Sequence, residues 1–292
     1  KLVKELSFKI KYYYFMRIKE LTVIIVTFKS EDKIFNCLNS LPDNVDVIVV
    51  ENSSNNEFKK NIEKKFSNVK CILTGENKGY AVANNIGLSK TNTKYALVLN
   101  PDAILEKDVV RNFINRAENN PNFWLIGPAN QQETETKHSS EDFFQVKNLK
   151  GYAIFFNLTK FNKKYFDENF FLYFEEIDLC NQVKIKGGSI FLDRKIIVRH
   201  DGGSSVRKNN LQELEKNRNW HWMWSTFYYH KKYKEFFFAL LIIFPKLISA
   251  LLKIIFYQLS FNIFQRDIYL SRMSGIVNSI LGRKSWYRPS LD

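Results

Sequence analysis

Tyr95–Asp102, YALVLNPD, decides the fold. The apolar run Tyr95–Leu99 stops at Asn100-Pro101-Asp102. A short apolar run closed by a polar turn reads as a buried strand and its carboxyl end. Pro101 has no N–H for a ladder bond, so the strand ends there. In an open α/β sheet the carboxyl edge is where ligands bind. Asp102 therefore stands at that edge as a hard oxygen donor, suited to a divalent cation that carries phosphates.

Three similar runs precede it: Thr22–Phe28 (TVIIVTF), Val45–Val50 (VDVIVV) and Val69–Thr74. All are rich in Val and Ile, and helical signals lie between them. Ser30 reads as an N-cap before Glu31–Leu41, and Ser53–Asn56 precedes a charged helix through Lys65. This alternation predicts an α/β fold with a mostly parallel central sheet. Near-continuous apolar strands predict helices flanking both faces. Such a topology gathers Thr27–Ser30, Glu51–Ser54, Gly75–Gly79 and Asn100–Asp102 at one rim. No glycine follows the first strand, and no GxxxxGK[ST] loop exists. Both facts weigh against a dinucleotide fingerprint and a P-loop.

The second half opens with a polar stretch, Asn130–Asp142, which reads as a mobile connection. An apolar strand candidate, Gly151–Asn157, follows. In YFDENFFLYFEEIDLC (Tyr165–Cys180), the acids Asp167, Glu168, Glu175, Glu176 and Asp178 lie among six aromatics. Carboxyls held against apolar walls have raised pKa values and can act as bases near neutral pH. On spacing alone a surface helix with acids on its wet face is the favoured reading. The run IIVRH ends at His200, before Asp201–Ser205.

The 292 residues carry a net charge of +14. Residues 1–19, a basic N-terminal extension, hold +5, and residues 231–292 hold +7. The intervening 20–230, read as the catalytic domain, are nearly neutral. Both ends mix basic residues with aromatic and aliphatic ones, which suits an anionic membrane surface. Nucleic acid would share the charge but has no use for Phe236–Phe244. The longest uncharged C-terminal runs are Phe236–Pro245 and Ile254–Gln265, short of the ~20 residues of a span. Lys246 and Lys253 share one helical face. A helix lying in the interface is favoured over a packing helix, a homodimer contact or a span. Lys1–Lys19 lacks a clean apolar core and cleavage site, so no secretory leader is expected there. Three scattered cysteines (Cys37, Cys71, Cys180) read as reduced, buried thiols.

The chain resembles the family-2 glycosyltransferases, of GT-A fold, in the rhamnosyltransferase-like branch that builds cell-surface polysaccharide. The resemblance rests on TVIIVTFKS, VIVVENSS, ENKGYAVANNIGL, LVLNPDA, and FDENFFLYFEEIDLC followed by RHDGGSS. NRNWHWMWSTFYYHKKYK and GRKSWYRP extend it, so that it covers roughly Glu20 to Pro289. It implies inverting transfer of a sugar from a nucleotide-diphosphate donor, with dTDP-rhamnose or a related deoxyhexose first in line. The acceptor is a hydroxyl of a polysaccharide or lipid-linked saccharide. Thr27, Phe28 and Glu51 fall where the family holds the nucleoside. Asn77, Gly79, Ala83 and Asn84 fall near base and ribose.

Asp102 matches the last acid of the family's DXD motif, and Asn100 replaces the first. His200 matches a histidine that completes Mg2+ or Mn2+ coordination in some members. Of the acidic pair Glu175-Glu176, Glu176 takes the position of the base, where the family has Asp, and Glu175 is the fallback. Asp178 matches a further acid, read as structural or acceptor-facing. Phe170–Phe174 is expected to floor the sugar site. The implied location is the cytoplasmic face of the inner membrane, held peripherally by the tail. Two rivals stand beside this reading: a sugar nucleotidyltransferase, which would want a glycine-rich first loop, and a catalytically degenerate membrane-associated scaffold, kept open by Asn100 and Glu176.

Overall fold

A computed structural model describes residues 17–129, 141–200 and 211–288. Most of the N-terminal extension, nearly all of the Asn130–Asp142 connection and the Asp201–Ser205 turn lie outside them. Nine strands form one sheet among the described residues. They are β1 (Leu21–Thr27), β2 (Asp46–Glu51), β3 (Val69–Leu73), β4 (Tyr95–Leu99), β5 (Ala103–Leu105), β6 (Phe123–Ala129), β7 (Phe143–Gln145), β8 (Ala153–Asn157) and β9 (Ser189–His200). Helices α1 (Glu31–Asn39), α2 (Asn56–Lys65), α3 (Gly79–Ser89) and α4 (Val109–Asn119) alternate with the earlier strands. Next come α5 (Glu175–Ile185), α6 (Leu211–Lys234), α7 (Phe236–Leu259) and α8 (Ile263–Ile280).

The spatial order is β3-β2-β1-β4-β8-β6-β9-β5, with β7 on β9. The first four strands run parallel, in a register that sets Thr27 beside Glu51 and Ile25 beside Leu99. Beyond β4 the sheet is mixed, because β8 runs antiparallel to both β4 and β6. An apolar run such as AIFFN shows burial on both faces but not direction, so the sequence left this unread. Helix starts follow local chemistry. Asn55 Oδ1 caps α2 by accepting from Phe58 N at 3.0 Å. Ser30 precedes α1 but donates to the Phe28 carbonyl at 3.0 Å instead of capping.

The chain divides into two compact units. The first comprises residues up to 78, 82–166 and 179–206, and holds the sheet. Its core joins one sheet face to α1 and α4, with Phe113 stacked on Phe155 at 4.9 Å. The three cysteines are unpaired and buried, and burial pushes the thiols of Cys37 and Cys71 upward, which keeps them inert. The second unit comprises 79–81, 167–178 and 207–292. The expected boundary at 230/231 thus cuts through a helix: α6 packs with α7 and α8, around Met223, Phe227, Ala239, Ile243 and Ile276. Gly275 lets the α8 backbone approach the Trp220 carbonyl of α6, where a Cβ would clash. The first uncharged run and the start of the second lie in one continuous helix, α7, with Pro245 inside it; the second run ends in α8.

Candidate active site

In the first unit, the carboxyl edges of β1, β2 and β3 are tied together by their own polar residues. The Thr27 carbonyl accepts from Asn52 N at 2.7 Å. Glu51, 2% exposed, accepts from Ser53 Oγ at 2.8 Å, Ser53 N at 3.1 Å and Asn55 N at 3.3 Å. Burial pushes its carboxyl up, and these donors offset part of the rise. Glu51 therefore shapes the loop after β2. Asn52 was not singled out from sequence, yet it joins two loops. Its Oδ1 accepts from Lys78 N at 3.0 Å and Thr74 Oγ1 at 3.1 Å, and its Nδ2 donates to Asn77 Oδ1 at 3.0 Å. The signal was only an Asn after a strand, which reads as a generic turn. Phe28 is half-buried, after which Lys29 adopts φ +52°. Asn84 is buried, and Ala83 packs in the core beside Ile48 and Val50. Both are closed to solvent, and the Ala83 side chain fits α3 to the sheet.

Asp102 and His200 meet because β5 begins one residue after Asp102 and pairs antiparallel with β9, placing Ala103 opposite His200. Asp102 Oδ1 lies 3.2 Å from His200 Nε2, and the carboxylate is 5% exposed. Among the described residues no group meets that oxygen with hydrogen-bonding geometry. Burial alone would raise the Asp102 carboxyl, but His200 outweighs it and holds the acid below its usual range. Asn100 Nδ2 lies 3.3 Å from the same His200 nitrogen, and the Tyr152 ring stacks on the imidazole at 4.9 Å. Among the described residues no three His, Cys, Asp or Glu side chains form a metal-binding group. The protein thus offers two donors, a buried carboxylate and an imidazole, which fits a cation shared with a phosphate ligand.

In the second unit, Gly79 opens α3 at φ +82°, and a Cβ there would lie 2.5 Å from the Phe171 carbonyl oxygen. The Tyr80 N–H donates to that carbonyl at 3.0 Å. Phe170 and Phe171 are buried and do not floor an open site. Phe170 packs edge-on against Tyr228, and Phe171 packs against His221 beneath Arg288. His221 is fully buried between Ser285 and the Tyr287 carbonyl, and burial pushes it down to about 3.

Tyr173 and Phe174 then adopt φ +71° and +72°. Two bulky residues in the left-handed region are strained, and such strain clusters at functional sites. Trp222 packs against both rings, and Ser225 Oγ donates to the Leu172 carbonyl at 3.0 Å. The strain delivers Glu175 and Glu176 to the start of α5. Glu175 is buried with Oε1 unpartnered. Burial, then the neighbouring Glu176, raises its carboxyl well above the ordinary range. Burial raises Glu176 too, partly offset by backbone N–H groups at the helix start. Asp178 is structural: it accepts from Lys232 Nζ and Tyr233 Oη, each at 2.7 Å. Lys232 also reaches Asp167 at 2.7 Å, so it is held inside the unit.

Residues 22–181 match the model of the family described as Glycosyl transferase family 2. Among curated proteins, the low-salt glycan biosynthesis hexosyltransferase Agl10 of Haloferax volcanii is 26% identical over 192 residues, covering 56% of this chain and 62% of that protein. The teichoic acid poly(glycerol phosphate) polymerase of Staphylococcus epidermidis is 27% identical over 124 residues, covering 40% and 17%. The chain thus spans less than two thirds of the length of these relatives. The mannosyltransferase PcManGT of Pyrobaculum calidifontis, solved with GDP-Man and Mn2+, superposes with a TM-score of 0.56 at 12% identity, over 91% of this chain and 88% of that one. Residues 1–349 of S. aureus TarS, solved with UDP, give 0.52 at 16% identity, over 92% and 93%. At such identity the likeness shows the fold alone, and it is the GT-A type.

Proposed function

The chain belongs to glycosyl transferase family 2, and we propose that it moves a sugar, with inversion, from a nucleotide-diphosphate donor to a hydroxyl of a cell-surface glycan or lipid-linked saccharide. The observation that carries this reading is Asp102. It sits at the carboxyl edge of the sheet beside His200, buried, with an oxygen that has no hydrogen-bond partner among the described residues. The relatives' roles in glycan and teichoic acid synthesis support the acceptor class. The GDP-Man and UDP complexes of the structural neighbours support the donor class. Resemblance makes dTDP-rhamnose the first donor to test.

Asp102 and His200 would hold Mg2+ or Mn2+, which when bound neutralises charge gathering on the departing nucleotide diphosphate. Asn100 and Tyr152 fix the His200 ring. The loops tied by Glu51 and Asn52 hold Thr27, Phe28 and Asn77 for the nucleoside. Burial raises both carboxyls, so Glu175 and Glu176 titrate as a pair, and the reactive form is the one in which Glu176 is ionised. Glu176 takes the proton of the acceptor hydroxyl as its oxygen attacks the anomeric carbon. The bond from that carbon to the donor phosphate oxygen breaks, and the nucleotide diphosphate leaves with the electron pair. No covalent sugar–enzyme species forms.

Helix α7 supports a peripheral membrane location at the cytoplasmic face. It is 24 residues long, about 36 Å. At about 100° per residue, Phe237, Leu241, Phe244, Ile248, Leu252, Ile255 and Leu259 form one stripe, and all are exposed, Phe237 to 79%. Lys246 and Lys253 fall on the opposite face, where Lys253 Nζ donates to Tyr269 Oη of α8 at 2.9 Å. Length and composition alone would also permit a span. One-sided exposure favours a helix lying in the interface. Lys231, Lys234 and Lys246 remain for anionic lipid, whereas Lys232 is engaged with Asp167 and Asp178.

The test is nucleotide release from a panel of nucleotide sugars by the full chain with Mn2+, with and without chelator. Chelator-sensitive release from at least one donor is expected. No release from any donor would favour the degenerate scaffold.

A further inference from the structure

Within the second unit, α6, α7 and α8 border a half-open cavity of about 310 Å³. Trp222 of α6, Pro245, Lys246 and Ser249 of α7, and Tyr269 and Arg272 of α8 line it. No acid does. Two cations converge on a hollow large enough for a small ligand group. Among the described residues Lys246 has no hydrogen-bond or ion-pair partner. The Arg272 guanidinium is pre-positioned: its Nε donates to Asn219 Oδ1 at 2.6 Å, and it lies over the Tyr269 ring at 5.1 Å. An oriented guanidinium with an unpaired ammonium, beside a hydroxyl, is the donor set of a phosphate site.

The position on α7 says which phosphate. Pro245 and Ser249 fall on the flank of the helix, between the exposed apolar stripe and the Lys246 face. A ligand with its phosphate in the cavity and a hydrocarbon chain along the stripe would satisfy both. Trp222 connects this place to chemistry, since the same indole packs on Tyr173 and Phe174, the strained pair just before Glu175 and Glu176. We infer that the cavity between α6, α7 and α8 binds the phosphate of a membrane lipid, the class that would anchor a lipid-linked acceptor. This rests on the peripheral-membrane reading above.

The test is sedimentation of the full chain with three kinds of vesicle: phosphatidylcholine alone, phosphatidylcholine with phosphatidic acid, and phosphatidylcholine with phosphatidylglycerol at matched surface charge. Wild type should bind the phosphatidic acid vesicles about fivefold or more tightly than the phosphatidylglycerol ones. Lys246→Gln should erase that preference. Ser249→Phe fills the cavity while keeping every charge, and should erase it too. Lys234→Gln, outside the cavity, should weaken binding to both anionic vesicles alike. Inorganic phosphate at 10 mM should leave the preference in place. If phosphate abolishes it, the site takes the free ion and the inference falls. Equal binding to both anionic vesicles, or a preference that survives Ser249→Phe, overturns the inference alone. Binding to no vesicle overturns the membrane reading as well.

Discussion

Glu175→Gln separates the two acids at the start of α5 by a measurement that does not need the substrate. The folded-state pKa of Glu175 is raised above its ordinary 4.5, first by burial and then by Glu176. As pH climbs past 4.5 the unfolded chain releases this proton and the folded chain keeps it. Stability is therefore fully present below 4.5 and is lost as pH rises towards the folded pKa. One proton of difference corresponds to about 1.4 kcal/mol per pH unit. Gln does not titrate, so the variant lacks this slope. Urea denaturation of both proteins at pH 5, 6 and 7 should show the variant gaining on wild type as pH rises, by at most about 1.4 kcal/mol per unit. For a chain of this size that is roughly 3–6 °C in Tm per unit. Parallel stability curves would refute the buried, proton-holding Glu175. In turnover, Glu175→Gln should stay within about tenfold of wild type, whereas Glu176→Gln should lose about 10²–10⁴-fold at unchanged donor affinity. The reverse pattern would make Glu175 the base.

Asp102→Ala should lower metal-dependent turnover at least about a hundredfold with Tm within about 4 °C of wild type; full activity in excess chelator would remove the metal from the mechanism. Lys232→Met removes the cation beside the buried Asp178, leaving the Tyr233 bond, and should cost roughly 2–4 kcal/mol in denaturant titration, discounted for the partial exposure of the lysine; adding Asp178→Asn should recover part of it. Replacing Phe237, Leu241 and Phe244 together by Ser should weaken vesicle binding by more than about a hundredfold at unchanged Tm; unchanged binding would assign the stripe another role.

The β1–β4 half of the sheet was legible because each strand is a Val- and Ile-rich run closed by polar residues. Asp102 and His200 were legible as strand-end polar residues, but their meeting depends on the β5–β9 pairing, which no local signal carries. Asn52 was hidden because what matters is its reach to Lys78 and Asn77, not its identity. Tyr173 and Phe174 were unreadable for the opposite reason. Aromatic residues carry no left-handed preference, so their strain comes from packing on Trp222 and from the Ser225 bond. Phe170 and Phe171 looked like a binding floor because sequence shows an aromatic cluster without showing which side it faces. Lys246 and Lys253 divided the tail into short uncharged runs in the sequence, yet α7 runs through both lysines and through Pro245.

The bond between Asp178 and Lys232 links residues 54 positions apart in the chain. Ribosomes add about 5–20 residues per second. For about 3–11 s after Asp178 is made, Lys232 does not yet exist. An acid that ends fully buried cannot be sealed away unpaired, so the start of α5 must stay wet through that interval. The strained Tyr173–Phe174 turn therefore closes late, after α6 has left the exit tunnel, and a message cut short before Lys232 yields a chain that has its sheet but cannot dock its two acids.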